Sequence, residues 1–151
     1  MIHFYDAATP QNVPSGVYAA VYINGYAWPE SQIDRMSRVI RVSVHPEAFW
    51  AKYARVIDVE NGAASPDNVV PFIRERIAHG HHDATAYVNR SNWDAVKQLV
   101  AAAKLEAWVR YWVATLDGTQ DVPGAWAVQY ATINNAYDLS VLHGVNDFSN
   151  P

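Results

Sequence analysis

Arg55-Val56-Ile57-Asp58-Val59, followed by Ser65-Pro66-Asp67-Asn68-Val69-Val70-Pro71-Phe72-Ile73-Arg74-Glu75-Arg76-Ile77-Ala78-His79-Gly80 and then Ala84-Thr85-Ala86-Tyr87-Val88, is the stretch that decides the fold. The outer two pieces are short and nearly continuous in apolar, largely β-branched or aromatic residues, the pattern of strands covered on both faces. The middle piece reads as a helix. Ser65 is a natural N-cap, Pro66 takes the favoured first position, and Gly80 follows the last periodic residue. Val69, Phe72, Ile73 and Ile77 recur at i, i+3, i+4 and i+8, so the helix has one apolar face. Strand, covering helix and strand together make a βα unit, which joins parallel strands.

Outward from this unit the same alternation continues. Strands are expected at Ile2–Tyr5, Gly16–Ile23 and Val39–Val44 on the N-terminal side. A helix opens at Pro29-Glu30 and runs to about Met36, and at most two helical turns fit between Glu47 and Tyr53. On the C-terminal side Ser91 should cap a helix that buries Trp93, Val96, Leu99 and Val100 and ends near Lys104. Strands at Trp108–Ala114, Ala125–Ala131 and Leu139–Val145 follow with little helix between them. Eight strands with parallel βα units predict an α/β fold, a compact (β/α)₈-like TIM barrel. At 151 residues the chain falls below the roughly 200 or more that such a barrel usually needs, so several outer helices must be shortened or missing. An open doubly wound sheet is the competing architecture.

Composition bounds the function. One domain spanning 1–151 is expected, because the length suits a single core and half the residues are apolar with 17% charged,. Eleven Lys and Arg against fifteen Asp and Glu give a net charge of −4. The cations are scattered along the sequence, which argues against nucleic acid or an anionic membrane as the main partner. Absence of cysteine excludes disulfides, Cys-ligated zinc and thiol nucleophiles. The start, Met1-Ile2-His3-Phe4-Tyr5-Asp6, has neither a basic n-region nor a long apolar run, and no stretch approaches the ~18 apolar residues of a membrane span. A soluble chain without its own export signal or membrane insertion is therefore expected.

Acidic residues stand at the expected C-terminal ends of strands: Asp6 after the first, Asp58 and Glu60 at the fourth, and Asp147 past the eighth. In a parallel barrel these ends converge on the rim where barrel enzymes place their chemistry. Asp58 and Glu60 are two apart on one strand, so they share a face, with Cβ atoms roughly 6.5–7 Å apart from a rise of about 3.3 Å per residue. Glycosidic cleavage needs a proton delivered to the leaving oxygen and negative charge beside the developing oxocarbenium ion. Crowded carboxylates raise one another's pKa, which would let Glu60 stay protonated while Asp58 stays ionised. The plainer reading of Asp-x-Glu is a cap on the loop Asn61-Gly62.

Val56-Ile57-Asp58-Val59-Glu60 resembles the Asp-x-Glu strand of the family 25 glycoside hydrolases, phage and bacterial lysozymes that cut peptidoglycan after N-acetylmuramic acid. Phe4-Tyr5-Asp6 is similar to the family's first-strand aspartate, and Ala86-Tyr87 to its fifth-strand tyrosine. Tyr111-Trp112-Val113-Ala114 resembles the sixth-strand Trp-x-Ala stretch, Trp126-Ala127-Val128-Gln129-Tyr130 the seventh-strand Trp-x-x-Gln-Tyr, and Val145-Asn146-Asp147-Phe148 the closing aspartate and phenylalanine. The resemblance spans nearly the whole chain. It implies a flattened β/α barrel with Glu60 as general acid/base. Asp58 would stabilise the transition state or the substrate's own N-acetyl group acting as nucleophile, and Asp6 and Asp147 would tune the pocket. Two departures stand out: Tyr22-Ile23-Asn24-Gly25-Tyr26 replaces the family's second-strand Lys-Ala-Thr-Glu-Gly-like stretch, and Leu116 replaces the tyrosine that ends the sixth-strand motif. There the chain is closer to the related glycoside-hydrolase-like domains of actinobacterial and phage proteins.

The resemblance therefore implies an N-acetylmuramidase-like hydrolase of bacterial cell wall that works without a cofactor or metal. Its partner would be the peptidoglycan glycan strand, in an endolysin, on a bacteriophage particle or at a cell-wall surface. The alternative is a non-catalytic wall-glycan-binding or virion-associated module on the same fold. Six Trp and nine Tyr suit a sugar groove, because aromatic faces stack on sugar rings. Tyr87, Trp112, Trp126, Gln129 and Tyr130 are the candidate substrate-binding residues, whereas Trp93 reads as core. His79-Gly80-His81-His82 reads as a helix end rather than a metal site and should lie on the rim away from Asp58 and Glu60. No Gly-x-Ser-x-Gly turn exposes a serine nucleophile.

Overall fold

Strands form at Ile2–Asp6 (β1), Tyr18–Tyr22 (β2), Arg38–Ser43 (β3), Val56–Val59 (β4), Ala84–Asn89 (β5), Val109–Ala114 (β6), Ala127–Ile133 (β7) and Tyr137–Leu142 (β8). They close one barrel in chain order, so the expected barrel holds and the open sheet does not. The computed structural model describes residues 1–148. Neighbours from β1 to β7 are parallel, but β8 runs antiparallel to both β7 and β1. The reversal has a local cause. The three-residue link Asn134-Asn135-Ala136 is a tight turn with φ of 53° at both asparagines, closed by the Ala136 N–H donating to the Ile133 carbonyl at 2.9 Å. Positive φ at both central residues is the hairpin geometry that matches strand twist, and so short a link can join only antiparallel strands.

Helices α1 (Glu30–Ile33), α2 (Val69–Ala78) and α3 (Arg90–Ala102) are joined by short 3₁₀ turns, one of which, Ala48–Lys52, is all that links β3 to β4 besides loop. A capping box between Ser65 and Asn68 starts the segment that becomes α2. The helix ends as read: Gly80, at φ 81°, donates to the Ile77 carbonyl at 2.9 Å, and His81 donates to the Arg76 carbonyl at 3.1 Å, a Schellman closure. In α3 the cap is Asn89 and not Ser91, because the Asn89 carboxamide accepts from the Asn92 N–H at 2.8 Å. Val96 and Val100 are buried, whereas Leu99 is exposed. No helix among the described residues is long and apolar enough to cross a membrane.

Alternation along the strands splits the apolar residues into two layers. Phe4, Ala20, Val42, Val56, Trp112 and Leu142 fill the barrel. Ile57, Val59, Phe72, Ile73, Val96 and Val113 pack α2 and α3 against the outside of β4–β6. The segment after β8 turns under the barrel and closes it: Phe148 is fully buried, with its ring 5.0 Å from Phe4 and 5.3 Å from Tyr18.

Candidate active site

Asp6 ends β1, Asp58 lies near the end of β4 and Glu60 just beyond it, so all three stand at the C-terminal rim of the parallel strands. β8 starts at that rim because it is reversed, and it brings Asp138 there. Asp6 and Asp138 are directly opposite in the antiparallel β1–β8 ladder, which puts their side chains on one face at close range. Gln129 of β7 lies between them. Its amide Nε2 donates to Asp6 Oδ1 at 3.0 Å and Oδ2 at 3.1 Å and to Asp138 Oδ2 at 3.3 Å, while its Oε1 accepts from the Tyr87 hydroxyl at 2.7 Å. A bulge between Gln129 and Ala131 lets Thr132 share the inward face with Gln129, and Thr132 Oγ1 donates to Asp138 Oδ1 at 2.5 Å. Bulges re-aim side chains in this way beside functional sites.

The electrostatics follow from burial. Asp6 is 3% exposed. Burial first and the Asp138 charge second raise its pKa to about 7, against a lowering by the Gln129 hydrogen bond, with Glu60 raising it further. Asp58 is equally enclosed, and Glu60 is exposed. Burial, then the Glu60 charge, a hydrogen bond to Glu60 and the Asp6 charge push Asp58 well above the usual carboxylate range. Burial and the neighbouring carboxylates thus favour the protonated form of Asp58, the deeper partner. Asp58 Oδ1 is buried without a hydrogen-bond partner. Tyr22 at the end of β2 and Tyr87 on β5 complete the wall. Burial and then the Asp6 charge lead the causes that raise both phenols.

Other expected site residues lie elsewhere. Asp147 is at the opposite rim, because a reversed β8 ends where the parallel strands begin. There it accepts from Arg55 Nη2 at 3.1 Å and pairs with Arg110. Trp126 precedes β7 and so shares that end; its ring lies 4.6 Å from the Arg55 guanidinium. Tyr130, next to the inward-facing Gln129, alternates to the outer face and meets His3 Nδ1 at 3.3 Å,. Trp112 is inside the barrel but beneath the carboxylates. It is 2% exposed, donates Nε1 to Ser140 Oγ at 3.0 Å and lies under Tyr87 with ring centroids 4.6 Å apart, so no face is left for a sugar. Tyr87 and Gln129 do reach the cluster. Asp138 and Tyr22 were missed; the Asn134-Asn135 turn pointed to the first and the inward series Tyr18, Ala20, Tyr22 to the second. Among the described residues no group of three or more His, Asp or Glu side chains is placed to hold a metal ion.

No protein-family model and no curated protein sequence matches the chain. Solved structures do. A muramidase from Acremonium alcalophilum is similar with a TM-score of 0.61 at 11% identity, over 97% of this chain and 95% of that one. A bacterial lysozyme from Streptomyces coelicolor gives 0.63 at 12% identity, over 96% and 93%. A glycosyl hydrolase 25 of Streptococcus pneumoniae gives 0.56 at 14% identity, over 94% and 87%. At these identities what is shared is the architecture, and the chain has a fold like that of the family 25 lysozymes and muramidases.

Proposed function

We propose that the chain is a peptidoglycan hydrolase of the muramidase type, with Asp58 and Glu60 as its central carboxylates and Asp6 and Asp138 beside them. The observation that carries this reading is the gathering of four carboxylates at one rim, where burial and the neighbouring charges push Asp58 toward its protonated form. Glu60, the exposed member, is the one a glycosidic oxygen reaches. The proton favoured on Asp58 transfers to Glu60 and from it to that oxygen as the C1–O bond breaks, leaving both carboxylates ionised. The negative charge left on the pair then stabilises the oxocarbenium-like centre, with the N-acetyl carbonyl of the substrate as the internal nucleophile. Water completes hydrolysis and returns a proton to the pair. Asp147 has no part in this scheme, and the site it describes operates at the bacterial wall, in a lysin or on a virion.

Purified cell walls test this reading. The full chain should clear wall turbidity and release new reducing ends. Glu60→Gln, which removes a proton donor worth typically about 10²–10⁴-fold, should nearly abolish release while still sedimenting with walls. An inert wild-type chain that binds walls would instead establish the binding-module alternative. Equal lysis by wild type and Glu60→Gln would overturn the assignment of Glu60.

A further inference from the structure

Between β3 and β4 the crossover helix is reduced to the 3₁₀ turn Ala48–Lys52, and the outer wall of β3 is left without a covering helix. A cavity of about 600 Å³ opens there, within the roughly 300–1,000 Å³ of small-molecule sites. It opens beside β3: Val39 and Arg41 border it from the outer face of the strand, and Ile40, which belongs to the barrel core, reaches it at the edge. The mechanism above uses none of its residues.

The lining is chemically biased. Four of the chain's eleven Lys and Arg, namely Arg41, Lys52, Arg55 and Arg76, border this cavity, against the single carboxylate Asp83. That concentration occurs on a chain of net charge −4. Arg76 is fixed by Asp83 at 2.9 Å and by the Ala51 carbonyl at 3.1 Å. Arg55 is fixed by Asp147 and by Thr85 Oγ1 at 3.1 Å. Among the described residues no carboxylate lies within ion-pair distance of Arg41 or Lys52, which leaves two uncompensated cations at the cavity. Trp50 and Tyr53 supply aromatic wall opposite Ile23 and Val39, and Tyr53 is 57% exposed. Burial lowers the Arg55 guanidinium to about 10, with Asp83 raising it and Arg76 lowering it again.

We propose that this cavity is a second binding site, for a small organic anion with an aromatic or aliphatic body. The acid group pairs with Arg41 and Lys52, and the body lies against Trp50, Tyr53 and Val39. Paired guanidinium and ammonium groups above an apolar floor select for charge and body together, so neither a simple inorganic anion nor a neutral hydrocarbon suits the site equally well.

The probe is 8-anilinonaphthalene-1-sulfonate, titrated into the full chain and followed by its fluorescence, with uncharged N-phenyl-1-naphthylamine as the matched control. One saturable site is expected, with affinity falling as salt is raised. The uncharged dye and the Arg41→Gln/Lys52→Gln double variant should each lose about tenfold or more in affinity, with thermal unfolding of the variant unchanged. Should the double variant not fold, Lys52→Gln alone, at an exposed position, carries the same comparison with a smaller loss. Equal affinity for the two dyes, equal affinity of wild type and variant, or many weak sites in place of one would each overturn the proposal.

Discussion

Asp6 shows what a carboxylate costs when it is enclosed beside another. Its folded-state pKa of about 7 stands above the ordinary 3.8. Between those values the folded chain holds a proton that the unfolded chain has released. The unfolded state binds fewer protons there, so the free energy of unfolding falls as pH rises from about 4 to 7 and then levels for this group. At neutral pH and above the penalty reaches up to about 4 kcal/mol, taking about 1.36 kcal/mol per pH unit. Asp6→Asn keeps an acceptor for the Gln129 amide and removes the charge. It should raise Tm clearly at pH 8 and little at pH 4, as thermal denaturation at the two values would show; an equal effect at both would contradict the raised pKa. Asp6, Asp58 and Glu60 were legible because each closes an apolar run, and the end of a parallel strand fixes the rim. Their protonation was not legible, because it depends on how deeply each is enclosed.

The β7–β8 hairpin decides which residues meet at that rim. Its sequence signal is the Asn134-Asn135 pair, the residue type that tolerates positive φ, set between the strand formers Ile133 and Tyr137. Reading β7 as ending at Ala131 and β8 as starting at Leu139 left that pair inside a seven-residue gap and allowed a crossover to a parallel strand. The consequence was Asp147 in place of Asp138. Trp112 and Trp126 lie away from the rim because a residue's height along its strand is set by pairing, which local sequence does not encode, whereas Tyr130 faces out because it alternates with Gln129. By contrast α2 was legible to within a few residues, since Ser65, Pro66 and Gly80 mark its ends chemically. Because both turn residues adopt φ of 53°, Asn135→Gly should stabilise the chain by up to about 1 kcal/mol, a rise of a few degrees in Tm, whereas Asn135→Val should destabilise it. A lowered Tm for the glycine variant would argue against the turn.

Across the whole molecule the two rims have separate tasks. At one, the carboxylates of Asp6, Asp58, Glu60 and Asp138 gather, with Asp58 Oδ1 buried and without a hydrogen-bond partner. At the other, Arg55 and Arg110 hold Asp147, and Arg38 Nη1 donates to the Phe148 carbonyl at 3.1 Å, so the final segment shuts the barrel and buries Phe148. Such a partition lets the closed end supply stability while the acidic end carries the electrostatic strain. The reversed last strand builds the carboxylate cluster with Asp138 and leaves Asp147 outside it. Carboxyl-carbon NMR titration of the labelled chain measures this directly. Asp6 should titrate near 7, fall toward the ordinary range in Asp138→Asn because a like charge is removed, and stay unchanged in Asp147→Asn. An Asp6 midpoint that ignores Asp138→Asn, or that drops in Asp147→Asn, would contradict the account.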